Sequence, residues 1–158
     1  MNPLESAFVR TIGPILLAIL TAACSAPPAA LVVKPFTLRD EKRDPGSEPM
    51  VEMEKQRRLL GAVSMKERRQ RLGQYYTVVW NDPHAGAPVT VAFSYLQGGT
   101  ASRVKTTERS FPAAATSGTA EFAVRGDNYF DHGRVTAWRI SLKRGGMEVA
   151  AKQSYLWE

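Results

Sequence analysis

The chain has 158 residues, a net charge of +6, a single cysteine and 44% hydrophobic residues. Such a length fits one domain of about 100–150 residues with appendages, and one cysteine excludes an internal disulfide framework. The charge is local: residues 55–71 carry seven basic groups against Glu67 alone, while residues 72–158 carry nine basic and seven acidic groups, which excludes a carboxy-terminal part that is strongly basic throughout.

Met1–Arg10 is polar, with Arg10 as its only basic residue, and Thr11–Ala23, TIGPILLAILTAA, is apolar and ends in small residues. That run is shorter than the roughly 20 residues needed to cross a bilayer core and fits the hydrophobic region of a signal peptide, about 7–15 residues long. Leu20-Thr21-Ala22-Ala23-Cys24 resembles the lipobox of bacterial lipoproteins, with Thr21 where the family usually has leucine. The resemblance implies cleavage before Cys24, diacylglycerol on its thiol and a lipid-anchored place in the cell envelope. Ser25 stands where an aspartate retains many such proteins in the inner membrane, which implies the outer membrane. The expected organisation is a signal peptide over 1–23, a spacer over 24–49, a basic helical segment over 50–73 and a β-domain over 74–158.

Ser25–Ala30, SAPPAA, cannot continue a helix. Leu31-Val32-Val33 reads as a short strand added to the edge of the later sheet, and Arg39–Pro49 as a polar loop. Met50–Leu60 has good helix formers, with Met53 and Leu60 on a narrow seam and Arg57 between them. Ser64-Met65-Lys66-Glu67 has the S-x-x-E pattern of a capping box, and Gly73 is the expected left-handed end of that second helix. Arg57, Arg58, Arg68, Arg69 and Arg71 are candidates for contact with an anionic surface, either lipid headgroups or an acidic envelope polymer; the bland alternative is a solvated helix face. No aromatic residue is interleaved with them, which argues against a single-stranded nucleic-acid platform.

From Gln74 the hydrophobic period changes to two. Tyr76, Val78 and Trp80 alternate with more polar positions, as do Val89, Val91, Phe93 and Tyr95, then Ala120, Phe122 and Val124, then Trp138, Ile140 and Leu142. Arg103–Phe111 is polar on both faces apart from Val104 and Phe111, as an edge strand would be, and Met147, Val149, Ala151, Gln153, Tyr155 and Trp157 share one face of the last segment. Gly145-Gly146 suits a tight hairpin, and Asn81-Asp82-Pro83 and Asp131-His132-Gly133 mark bends. Six strands in about 85 residues predict a mainly β fold, a small antiparallel sandwich. The pattern resembles an immunoglobulin-like or fibronectin-type-III-like module without the Cys…Trp…Cys signature. The closing run Trp138–Trp157 also resembles the last hairpin of small envelope lipoproteins, a likeness that carries no activity.

Few residues point to chemistry. His84 and His132 are the only histidines, and His132 with Asp127 and Asp131 matches no established ligand spacing. Glu108 and Glu121 fall at strand positions expected to face solvent, and Arg125-Gly126-Asp127 is a tripeptide that three common residues form easily. No phosphate loop or nucleophile elbow is present. The expectation is a non-enzymatic envelope protein without cofactor or metal, acting through an envelope partner and not nucleic acid. The alternative is a carbohydrate- or peptidoglycan-binding module. Outward-facing rings among Tyr75, Tyr76, Trp80, Tyr95, Trp138, Tyr155 and Trp157 would favour the alternative; buried rings favour the first reading.

Overall fold

The alternating apolar residues can all be buried only if two pleated surfaces face each other, and the chain adopts that arrangement. The computed structural model describes residues 30–40, 48–100 and 102–157; the signal-like segment and Cys24 lie outside the described residues. In chain order the elements are β1 (Leu31–Leu38), α1 (Pro49–Leu59), α2 (Met65–Arg71), β2 (Gly73–Asn81), β3 (Val89–Gln97), β4 (Lys105–Phe111), β5 (Ser117–Arg125), α3 (Asp127–His132), β6 (Val135–Arg144) and β7 (Met147–Gln153). Two sheets form, ordered β1-β2-β5 and β4-β3-β6-β7, and every pairing is antiparallel. The fold is therefore mainly β.

One core joins the sheets. Leu31, Val33, Tyr76, Val78, Trp80, Ala120, Phe122 and Val124 come from the first, and Val89, Val91, Phe93, Tyr95, Val135, Ile140 and Leu142 from the second. Phe93 is its aromatic centre, with ring centroids 4.7 Å from Tyr76, 4.9 Å from Tyr95 and 5.3 Å from Phe122. The alternation read from the sequence holds on all four of these apolar strands. β1 extends the Leu31–Val33 strand to eight residues and pairs along its whole length with β2. Its register continues through Phe36 and Leu38 on the outer face, beneath the helices.

Three local features depart from expectation. Gly73 is the first residue of β2, not the end of α2, which closes at Leu72 in extended backbone. A Cβ at Gly73 would come within 2.3 Å of the Val124 carbonyl oxygen, so close approach to β5 and a φ of +148° demand glycine. In β7, Ala150 opposite Leu142 packs on the core, while Met147 and Val149 are exposed. The pairing steps from Glu148 to Ala150, so Val149 is the extra residue of a bulge and the uniform alternation of the last segment breaks there. Asp127–His132, read as part of a bend, is a helical turn and a half that follows Gly126 at φ +59°. The hairpin turn at Gly145-Gly146 is as expected, both residues having positive φ.

Candidate functional site

The helical pair lies over the outer face of the first sheet. Leu59 of α1 packs with Phe36, Leu38, Leu72 and Tyr75, a second apolar cluster separate from the main core. That docking turns the Met53–Leu60 seam to water, leaving the two residues 66% and 78% exposed. α2 carries the expected capping box: the Ser64 Oγ accepts from the Glu67 amide at 3.2 Å, and Glu67 Oε2 accepts from the Ser64 amide at 2.8 Å. The Ser64 amide, the Ser64 hydroxyl and the Val63 amide, all donating to Glu67 Oε2, hold that carboxyl below its ordinary range. Gln70 then donates to Asp127 Oδ1 at 2.7 Å and fastens α2 to α3.

The five arginines singled out from the sequence do not form one surface. Arg57 and Arg58 both bind Glu54, each at 2.7 Å, and reach Glu121 of β5 at 3.6 and 3.5 Å. The Arg58 guanidinium also lies 4.2 Å from the centre of the Tyr75 ring, a cation–π contact. Glu54 is held at about 2, first by the Arg57 hydrogen bond and then, against the effect of burial, by Arg58. Arg71 points back into the α1–α2 turn and donates to the carbonyls of Arg58 and Leu60. Arg69 stacks 4.0 Å over Phe130 of α3, and Arg68 is exposed on α2. Four of the five are thus engaged within the fold: Arg57 and Arg58 in ion pairs, Arg71 in the α1–α2 turn and Arg69 against α3.

Two arginines from the strands complete a cationic groove that the sequence reading missed. Arg57, Arg58, Arg109 and Arg125 line it with Glu121, above Tyr75, Phe122 and Ala123. Arg109 is opposite Val91 in the β3–β4 ladder and so takes the core-side parity of an edge strand. Its guanidinium sits 5.8 Å from the Phe122 ring. The signal was present as an arginine at an inward position of a polar strand. Its neighbour in space, β5, could not be known before the sheets were assembled.

A second polar cluster closes one end of the sandwich. Arg144, at the end of β6, donates Nε to Asp82 Oδ2 at 2.5 Å, and its two terminal nitrogens to the carbonyls of Ala87 and Ala115. Both partners of the ion pair are buried. His84 Nδ1 is 2.7 Å from Asp82 Oδ1, yet the imidazole is 80% exposed. Asp82 is held at about 2, first by Arg144 and then by His84. The carboxylate can orient the imidazole, while its other oxygen is committed to three-loop closure through Arg144.

The remaining candidates are dispersed. His132 Nδ1 lies 3.3 Å from the Asn128 carbonyl and Asp127 accepts from Gln70; among the described residues no group of three or more His, Cys, Asp or Glu gathers as a metal site. Glu108 is opposite Ala92 on the outer face of the second sheet, whereas Glu121 is opposite Thr77 on the outer face of the first. Arg125, Gly126 and Asp127 form the β5–α3 junction, with Asp127 tied down by Gln70. Tyr75, Tyr76, Trp80 and Tyr95 are buried and Trp138 packs against the core, while Tyr155 is 99% exposed. Among the described residues no helix is long and apolar enough to cross a membrane. No protein-family model matches the chain, and searches of curated proteins and of solved structures return no significant match.

Proposed function

We propose that the protein is a lipid-anchored component of the cell envelope, held in the outer membrane through Cys24, whose sandwich binds another envelope component without catalysis. The anchor reading rests on the apolar run, its small-residue end and Cys24. For the domain, the strand order supports an immunoglobulin-like, fibronectin-III-like relationship. β1, β2 and β5 correspond to strands A, B and E of that fold, and β3, β6 and β7 to C, F and G. β4 pairs with β3, where the constant-type immunoglobulin fold pairs its fourth strand with E.

The observation that carries the interaction reading over the sugar-binding one is where the rings lie. Trp80 is fully buried, and Tyr76 and Tyr95 are nearly so, which leaves those rings unable to stack on a sugar. Tyr155 is the exposed exception, and the outer surface also carries the cationic groove of Arg57, Arg58, Arg109 and Arg125. Cross-linking of the chain in native envelopes should capture a protein partner, and soluble glycan or peptidoglycan fragments should leave that capture unchanged. Loss of capture on adding the fragments would favour the carbohydrate-binding reading.

A further inference from the structure

Four strand edges are open in this sandwich, and three are blunted. β1 has Pro35 in its middle, β7 is broken by the bulge at Val149, and β4 is short and carries Lys105, Glu108 and Arg109. Proline, bulges and charges of this kind are the usual protections against pairing with another chain. β5 is nine residues long, pairs with β2 in an unbroken register, and has neither proline nor bulge; of its two charges, Glu121 is taken up by Arg57 and Arg58, and Arg125 stands at its end.

The hydrogen-bond parity of β5 follows from two bonds at its ends. The Gly126 amide donates to the Leu72 carbonyl at 2.9 Å, and the Asp82 amide to the Thr116 carbonyl at 2.7 Å. In an antiparallel ladder directly opposed residues alternate between exchanging bonds and not exchanging them. Even-numbered residues of β5 therefore bond to β2. Thr119, Glu121, Ala123 and Arg125 aim their amides and carbonyls at the open edge, and among the described residues no other strand pairs with that side. The cationic groove runs along this edge; Arg57 and Arg58 are shared with Glu54 and Glu121, which leaves Arg109 and Arg125 as its excess positive charge.

We infer that β5 is an acceptor for an extended acidic segment of a partner protein, added as a further antiparallel or parallel strand beside Thr119–Arg125. Main-chain bonds would supply the pairing, and Arg109 and Arg125 the selectivity for carboxylates. A second copy of this chain is the poorer occupant, because it would bring its own four arginines to the same edge. The inference names a partner class for the interaction proposed above and does not depend on the lipid anchor.

The test uses the full chain carrying Cys24→Ser and a seven-residue peptide of alternating glutamate and valine, with a lysine–valine peptide as its counterpart. The glutamate peptide should bind and slow amide exchange at Glu121 and Ala123 by roughly tenfold or more, as new ladder bonds form. The amides of Ala120, Phe122 and Val124, already bonded to β2, should not change. Arg109→Glu and Arg125→Glu should each weaken binding by about tenfold, the loss of a charge-assisted contact. Ala123→Pro removes one outward amide and no ladder bond, so the fold should survive and the exchange protection should vanish; if that variant misfolds, the two arginine variants carry the test. Absence of binding up to millimolar peptide, equal binding of the lysine peptide, or binding without slowed exchange at Glu121 and Ala123 would overturn the inference. Protection of those amides in the free protein that rises with its own concentration would assign the edge to a second copy instead.

Discussion

Asp82 and Arg144 lie 62 positions apart in sequence and form a buried ion pair that closes one end of the sandwich. The guanidinium satisfies the carboxylate and two loop carbonyls at once. Removing only the arginine leaves a buried carboxylate without its counter-charge, which is more damaging than deleting both charges together. Arg144→Met should therefore lower the melting temperature far more than Arg139→Ala, whose side chain pairs with Glu148 on the surface. The double variant Asp82→Leu with Arg144→Met should recover part of the loss. Thermal melts of the three variants decide it.

Acid should destabilise the fold through two carboxylates. Asp82 and Glu54 are each held at about 2 in the folded chain by arginine hydrogen bonds, below the unfolded values of about 3.9 and 4.3. A depressed folded value contributes stability that is complete above the unfolded value and disappears as pH falls through the folded one. The melting temperature should hold near pH 5–6 and fall between pH 4.5 and 2, and the fall should be shallower in Asp82→Asn. A profile that is flat down to pH 2 would contradict both pairings.

β6 lies between β3 and β7, and Ile140 at its middle is fully buried. Ile140→Ala should cost about 2–5 kcal/mol, the range for truncating a buried aliphatic side chain. Trp138 sits 5.7 Å from Tyr76 but is only partly buried, so Trp138→Ala should cost less than the ~3–5 kcal/mol of a fully buried aromatic. Denaturant unfolding of the two variants should rank Ile140→Ala at least level with Trp138→Ala.

Gly118 of β5 faces the Trp80 indole so closely that an added Cβ would lie 2.9–3.0 Å from three ring atoms. Trp80 is fully buried, so its indole can make room only by displacing packed neighbours. Gly118→Ala should destabilise by about 1–3 kcal/mol, the usual cost of overpacking. Chemical denaturation checks this, and an unchanged midpoint would mean that the indole moves.

Much of the sandwich was legible because inward positions repeat every second residue and no helix competes with that period. Trp80, Phe93, Phe122 and Ile140 were identified in this way, as was the capping box of Ser64 and Glu67. The errors came where a distant partner decides. Val149 reads as sharing one face with Met147 and Ala151 until the bulge breaks that alternation, and Gly73 reads as a helix cap until β5 is laid against it. The groove could not be read, since Arg109 and Arg125 belong to strands of different sheets. Arg71 and Arg69 looked like free surface charge, whereas carbonyls of the α1–α2 turn and the Phe130 ring take them up.

The mass of the membrane-extracted chain tests the proposal that this domain reaches the envelope as a lipoprotein. A chain that begins at Cys24 and carries diacylglycerol should be heavier than residues 24–158 alone by the lipid, and Cys24→Ala should yield an unprocessed or soluble product. One myristoyl-sized chain binds a membrane only marginally, and two or more acyl chains are needed for stable anchoring. A membrane-bound chain with the unmodified mass of residues 1–158, or a Cys24→Ala variant that stays membrane-bound at the mature size, would rule out a lipid anchor at Cys24.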